Sequence, residues 1–172
     1  MKVLKVKAVL DRFLERLVAA VMAILTLDVT WQVVTRYILK HPSNWTEELA
    51  TFLMIWVGLL GAAVALHRRA HLGIDYFVGR LKPHSAALAE AFVFLLILLF
   101  SVAVFIVGGL RLVIVTFRFG QLTPALRIPM GFVYLAVPTS GLFFALYSLE
   151  FLLAAVKKLG SADDSSQKLL ES

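Results

Sequence analysis

The chain reads as an all-α membrane protein with four transmembrane helices. An amphipathic interfacial helix precedes them at the N-terminus, and both termini are expected to be cytoplasmic. Three observations predict this. First, hydrophobic residues make up 60% of the 172 residues and charged residues 16%, with a mean hydropathy of +0.88. A soluble domain of this size cannot bury that much apolar surface. Second, four stretches are apolar over the length that crosses a bilayer core, about 20 residues at roughly 1.5 Å each. Third, lysine and arginine are unevenly shared between the joints. The composition also excludes intrinsic disorder, which needs low hydrophobicity. With no cysteine, a disulfide or thiolate-metal scaffold is excluded too.

The elements follow in order. Residues 1–16 form a basic arm in which Val3, Val6, Leu10, Phe13, Leu14 and Leu17 share one helical face. Such a helix lies along an anionic leaflet as an anchor. Seven charges in those sixteen residues, followed by a full-length span, argue against a cleaved leader. The membrane domain is 17–156. Its spans are Leu17–Thr35, interrupted by Asp28, then Leu49–Leu66, then Ala86–Leu110, then Met130–Val156, which contains Pro138 and Glu150. Asn44 with Glu47 three residues on reads as a capping box for the second helix. The second joint contains another amphipathic set, Ile74, Phe77, Val78 and Leu81. The third pattern continues to Phe119. A straight helix over that distance would be about 50 Å long, so a break or tilt is expected near Gly108-Gly109. Gly120 and Pro124 break the third joint, and Pro129 suits a first helical position. Residues 157–172 read as a polar, disordered cytoplasmic tail.

Orientation follows from the positive charges. Lys2, Lys5, Lys7, Arg12 and Arg16 of the arm, Arg68, Arg69, Arg80 and Lys82 of the second joint, and Lys157, Lys158 and Lys168 of the tail share one side. Arg36, Lys40, Arg111, Arg118 and Arg127 lie on the other. Twelve against five places the arm and tail inside. The net charge of +6 thus reads as an orientation signal, and no nucleic-acid partner is expected.

Few residues suggest chemistry. His41, His67, His71 and His84 all sit at membrane ends, which suits bis-histidine haem poorly. His67 and His71 at i, i+4 would make half a metal site, or would offset the helix C-terminal dipole together with Arg68 and Arg69. Asp28, well inside a span, is either an ion or proton site or a buried acid bonded to a Thr, a Trp or a partner's base. Trp45, Glu47 and Glu48 open the second helix. They read either as dipole-stabilising acids beside an interfacial aromatic belt with Trp31 and Tyr37, or as an acidic edge meeting a basic partner. Gly58 with Ala62, and Gly61 with Ala65, permit close helix contact within the bundle or with another subunit. Gln121 to Pro129 forms a proline-restricted turn offering Gln121, Thr123 and Arg127. No phosphate loop, nucleophile elbow, metal motif or paired catalytic acids occurs. No catalytic residue, metal site or cofactor is expected.

Arg36-Tyr37, Trp45-Thr46-Glu47-Glu48, Trp56-Val57-Gly58 with Gly61-Ala62, and His71-Leu72-Gly73-Ile74-Asp75 occur in an order and spacing that carry further meaning. With the later Thr123-Pro124-Ala125-Leu126-Arg127-Ile128-Pro129, Tyr134 and Ala136-Val137-Pro138, the chain over residues 10–156 resembles the small DctQ-type membrane subunit of tripartite ATP-independent periplasmic (TRAP) transporters. The resemblance implies a bacterial inner-membrane scaffold that supports a large multi-span, elevator-type permease subunit. It further implies sodium-coupled uptake of an organic acid delivered by a periplasmic binding protein. On this reading Arg36, Trp45, Glu47, Glu48, Trp56, Gly58, Gly61, Ala62, Ala65, His71, Asp75, Gln121, Pro124 and Arg127 form partner contacts. Asp28 matches no motif of the family. The alternatives are a haem-type anchor of a redox complex and a stand-alone proton-coupled exporter.

Overall fold

The computed structural model describes residues 2–41, 43–68 and 83–170. Helix α1 runs over Lys2–Tyr37 and α2 over Asn44–His67. Helix α3, Pro83–Phe100, passes into a π-helical segment, Ser101–Gly108, and then into α4, Gly109–Arg118. A short α5, Met130–Tyr134, precedes α6, Ala136–Leu170. Among the described residues, four stretches are long and apolar enough to cross a membrane: Val9–Tyr37, Asn44–His67, Ser85–Arg118 and Met130–Gly160.

Several boundaries differ from those read off the sequence. The arm and the first span form one continuous helix, because no glycine or proline lies between Lys2 and Tyr37 to interrupt the hydrogen-bond ladder. After α1, Lys40 takes a left-handed conformation (φ 53°). The His41 N–H then turns back to the Thr35 carbonyl at 3.1 Å, closing the helix end. The cap of α2 is Ser43, with extended backbone. Thr46, fully buried, donates to the Ser43 carbonyl at 2.8 Å, and the two hydroxyls lie 2.7 Å apart. The expected box of Asn44 and Glu47 does not form, because the helix already includes Asn44 and Glu47 therefore falls beyond the capping position.

The third span shows no break at Gly108-Gly109. Both residues keep helical backbone, φ −63° and ψ −44°. The irregularity is a change of winding, eight residues of π helix over Ser101–Gly108 that end at this pair. Gly120, with φ +58°, ends α4 in the left-handed conformation that glycine adopts without steric cost. Pro129 sits just before α5 rather than inside it. Pro138 falls in the first turn of α6, after the interruption at Leu135, where a missing N–H costs least. Helix α6 then continues through Gly160 to Leu170, where the sequence reading expected a disordered tail. The second amphipathic set, Ile74 to Leu81, lies outside the described residues.

Among the described elements, α1 packs on α2, α2 on α6, and α6 on α3, the π segment and α4. Neither α1 with α3 nor α2 with α3 comes within packing distance. The helices therefore form a row, α1–α2–α6–α3, and not a closed bundle. Leu14, Leu60, Ala63, Leu66, Phe94, Phe143, Tyr147 and Phe151 join this row along one seam. Helix α6 meets the third span through small residues. An added Cβ on Gly141 would lie 2.5 Å from the Cβ of Phe105, and one on Gly109 would lie 3.0 Å from Pro138 Cδ.

Candidate functional site

The turn after α4 meets the first turns of α2 at one end of the row, here termed the rim. Glu48, one turn into α2, is half-buried there. Its Oε2 accepts the backbone N–H of Ala125 at 2.6 Å and of Leu126 at 3.0 Å. Its Oε1 is buried without a partner among the described residues. Two successive amides aimed at one carboxylate oxygen make a small anion-binding concavity. The turn they belong to is internally closed. Thr123 N–H bonds the Ile128 carbonyl at 2.9 Å, Arg127 N–H the Thr123 carbonyl at 3.1 Å, and Met130 N–H the Gln121 carbonyl at 2.9 Å. The buried Thr123 hydroxyl accepts from Ile128 N–H at 3.0 Å. Arg127 is held at φ 52°, a conformation that is uncommon for a residue with a side chain.

The structure thus brings Glu48, Gln121, Pro124 and Arg127 together. Of the two acids, Glu48 serves its own chain's turn, and Glu47 remains exposed. Trp45, Arg36, Gln121, Pro124 and Arg127 are exposed at the same end. The sequence did not join Glu48 to the turn, since Ala125 lies 77 positions further along the chain. The signal that pointed there was the proline-restricted turn from Gln121 to Pro129.

The small-residue face is divided. Gly58 and Ala62 are exposed, and a Cβ on Gly58 would meet nothing within 4 Å. Gly61 and Ala65 are half-buried, and a Cβ on Gly61 would only reach Val18 at 4.0 Å. Trp56 packs against the core seam. Close approach within the chain therefore uses Gly109, Gly131 and Gly141, and the Gly58 face stays open.

Asp28 is 8% exposed, and its Oδ2 has no hydrogen-bond partner among the described residues. Thr26 and Thr30, its neighbours on α1, bond the carbonyls of Met22 and Thr26 instead. His71 and Asp75 lie outside the described residues. Among those described, no three His, Asp or Glu side chains gather to hold a metal ion.

The opposite end carries a polar lock that the sequence did not disclose. Tyr147 donates to Asp11 at 2.8 Å, and His67 Nε2 lies 3.5 Å from the other Asp11 oxygen. The His67 ring packs on Tyr147 at 4.8 Å. Lys7 pairs with Glu150, Glu15 with Arg68 at 2.9 Å, and Lys158 with Glu90 at 3.0 Å. The hydrogen bond that Arg68 Nε donates to the Glu15 carboxylate raises the Arg68 pKa above its already high ordinary value. The signal available was Asp11 and Glu15 at i, i+4, two acids in an otherwise basic arm.

A family model described as tripartite ATP-independent periplasmic transporters, DctQ component, matches residues 25–158. The chain belongs to this family. It is 29% identical over 166 residues to the sialic acid TRAP transporter small permease protein SiaQ of Vibrio cholerae, covering 96% of this chain and 94% of that protein. It is 24% identical over 147 residues to a putative TRAP transporter small permease protein of Haemophilus influenzae, covering 86% and 89%. A third relative, the isethionate TRAP transporter permease protein DctMQ of Oleidesulfovibrio alaskensis, is 30% identical over 153 residues. That match covers 86% of this chain but 24% of the longer relative. The four apolar spans are accordingly those of a multi-pass inner-membrane permease component.

Proposed function

We propose that this DctQ component is the scaffold of a TRAP transporter, bracing a large elevator-type permease subunit during sodium-coupled uptake of an organic acid. A periplasmic binding protein delivers that acid. The observation that carries the reading is the open row of helices. A closed four-helix bundle buries its small-residue faces within itself, whereas a row leaves two broad apolar faces for a neighbour. The exposed Gly58 and Ala62 allow a partner helix to approach closely on one of them. The longer DctMQ relative supports the pairing, since its segment similar to this chain is part of a larger permease protein. The Lys and Arg distribution supports cytoplasmic termini, with the rim facing the periplasm. The chain contributes support and partner contacts, and the substrate and ion sites lie on the large subunit.

Co-purification tests the reading. Gly58→Leu should weaken recovery of the large subunit from native membranes, while leaving the isolated chain helical, because Gly58 faces open space in the chain alone. Undiminished recovery and uptake would remove this helix as the contact face. Transport by the isolated chain in vesicles, or a bound haem in the purified protein, would overturn the scaffold role altogether.

A further inference from the structure

The rim is cationic, and one acid shapes it. Arg36, Lys40, Arg118 and Arg127 are exposed at this end, and no acid among the described residues pairs with any of them. Of the two acids nearby, Glu47 is exposed, and Glu48 turns its carboxylate inward to the Ala125 and Leu126 amides. These amides precede Arg127 directly, and Arg127 is the residue held in the left-handed conformation. Its own N–H is tied to the Thr123 carbonyl and the next N–H, of Ile128, to the Thr123 hydroxyl, so the backbone on both sides is fixed while Arg127 is exposed.

We propose that Glu48 is a positioning residue which, by tying the 121–129 turn to α2, presents Arg127 as the leading cation of a rim that docks an acidic face of the periplasmic binding protein. The proposal rests on the scaffold reading for the identity of the partner. Charge complementarity selects the partner's chemistry: unpaired surface cations steer association with an oppositely charged surface and repel a like one. The turn supplies what charge alone lacks. A guanidinium on a preset backbone loses less freedom on docking than one on a mobile loop.

The test uses the permease complex of this chain with its large subunit, in nanodiscs at low ionic strength. The probe is the purified periplasmic binding protein of this transporter. Arg127→Glu should raise the Kd about tenfold, with the effect shrinking as salt rises. Arg127→Gly, which keeps the left-handed turn but removes the cation, should weaken binding while amide protection over 123–128 persists. Glu48→Ala should weaken binding and speed amide exchange in that segment alone, with recovery of the large subunit unchanged. Glu48→Gln, which retains an acceptor oxygen, should restore most of both. The double variant Glu48→Ala with Arg127→Gly should bind no more weakly than Arg127→Gly. Unaltered Kd in Arg127→Glu, additive losses in the double variant, or loss of the large subunit along with the affinity would each overturn the positioning role. So would a wild-type Kd governed by the anionic phospholipid content of the nanodisc, which would make the rim a headgroup site. A wild-type complex that fails to assemble would instead refute the scaffold reading beneath it.

Discussion

Two glycine-to-alanine variants separate contacts made inside the chain from a face left open. At Gly141 a new methyl would lie 2.5 Å from Phe105 Cβ and 3.2 Å from the Phe105 carbonyl carbon. Comfortable carbon–carbon contact is about 3.5–4.0 Å, so α6 and the π segment must part locally by roughly 1 Å. No flexible side-chain tip is available to yield, because the obstacles are a Cβ and a main-chain atom. Overpacking of this kind costs about 2 kcal/mol. Alanine returns about 1 kcal/mol through its higher helix propensity. Gly141→Ala should therefore destabilise by about 1 kcal/mol, the difference of those two terms. At Gly58 nothing lies within 4 Å, so only the propensity gain of about 1 kcal/mol remains. The two variants should differ by about 2 kcal/mol, roughly thirtyfold in the unfolding equilibrium. Unfolding of the isolated chain in mixed micelles, followed by circular dichroism, measures the difference. If Gly141→Ala stabilised the chain as much as Gly58→Ala, the contact between α6 and the π segment would be wrong.

Tyr147→Phe removes the donor to Asp11 from a side chain only 2% exposed. It should cost about 1–3 kcal/mol, the penalty of leaving a half-buried carboxylate oxygen unpaired. The same unfolding assay checks this, and an unchanged transition would show that the lock contributes nothing. Asp28→Leu removes a buried acid whose Oδ2 has no partner among the described residues. It should leave the chain as stable as before or more stable, with uptake by the assembled transporter intact. A collapse of uptake in Asp28→Leu and Asp28→Asn, with assembly preserved, would restore a proton-site role.

Hydrophobic composition and span length made the four membrane helices legible, because the bilayer demands length and apolarity and the sequence displays both. The candidate site was only half legible. The proline-restricted turn and the Glu47-Glu48 pair were visible separately. Their union through Glu48 was not, since hydrogen bonds between backbone amides and a distant carboxylate leave no periodic trace. The acids of the arm raised a similar difficulty. Asp11 and Glu15 interrupt a basic pattern, but their partners, His67, Arg68 and Tyr147, lie on two other helices.

The sequence by itself determined the class, the number of apolar spans and the positive-charge asymmetry, all properties of local composition. Tertiary structure decided that the helices stand in a row, that the arm continues the first span, and that close approach occurs at Gly109, Gly131 and Gly141 and not at Gly58. The physical reason is that lipid and protein are equally apolar surroundings for a helix face. Hydropathy therefore locates a span without saying what it touches, and only the steric fit of neighbouring backbones settles the contact.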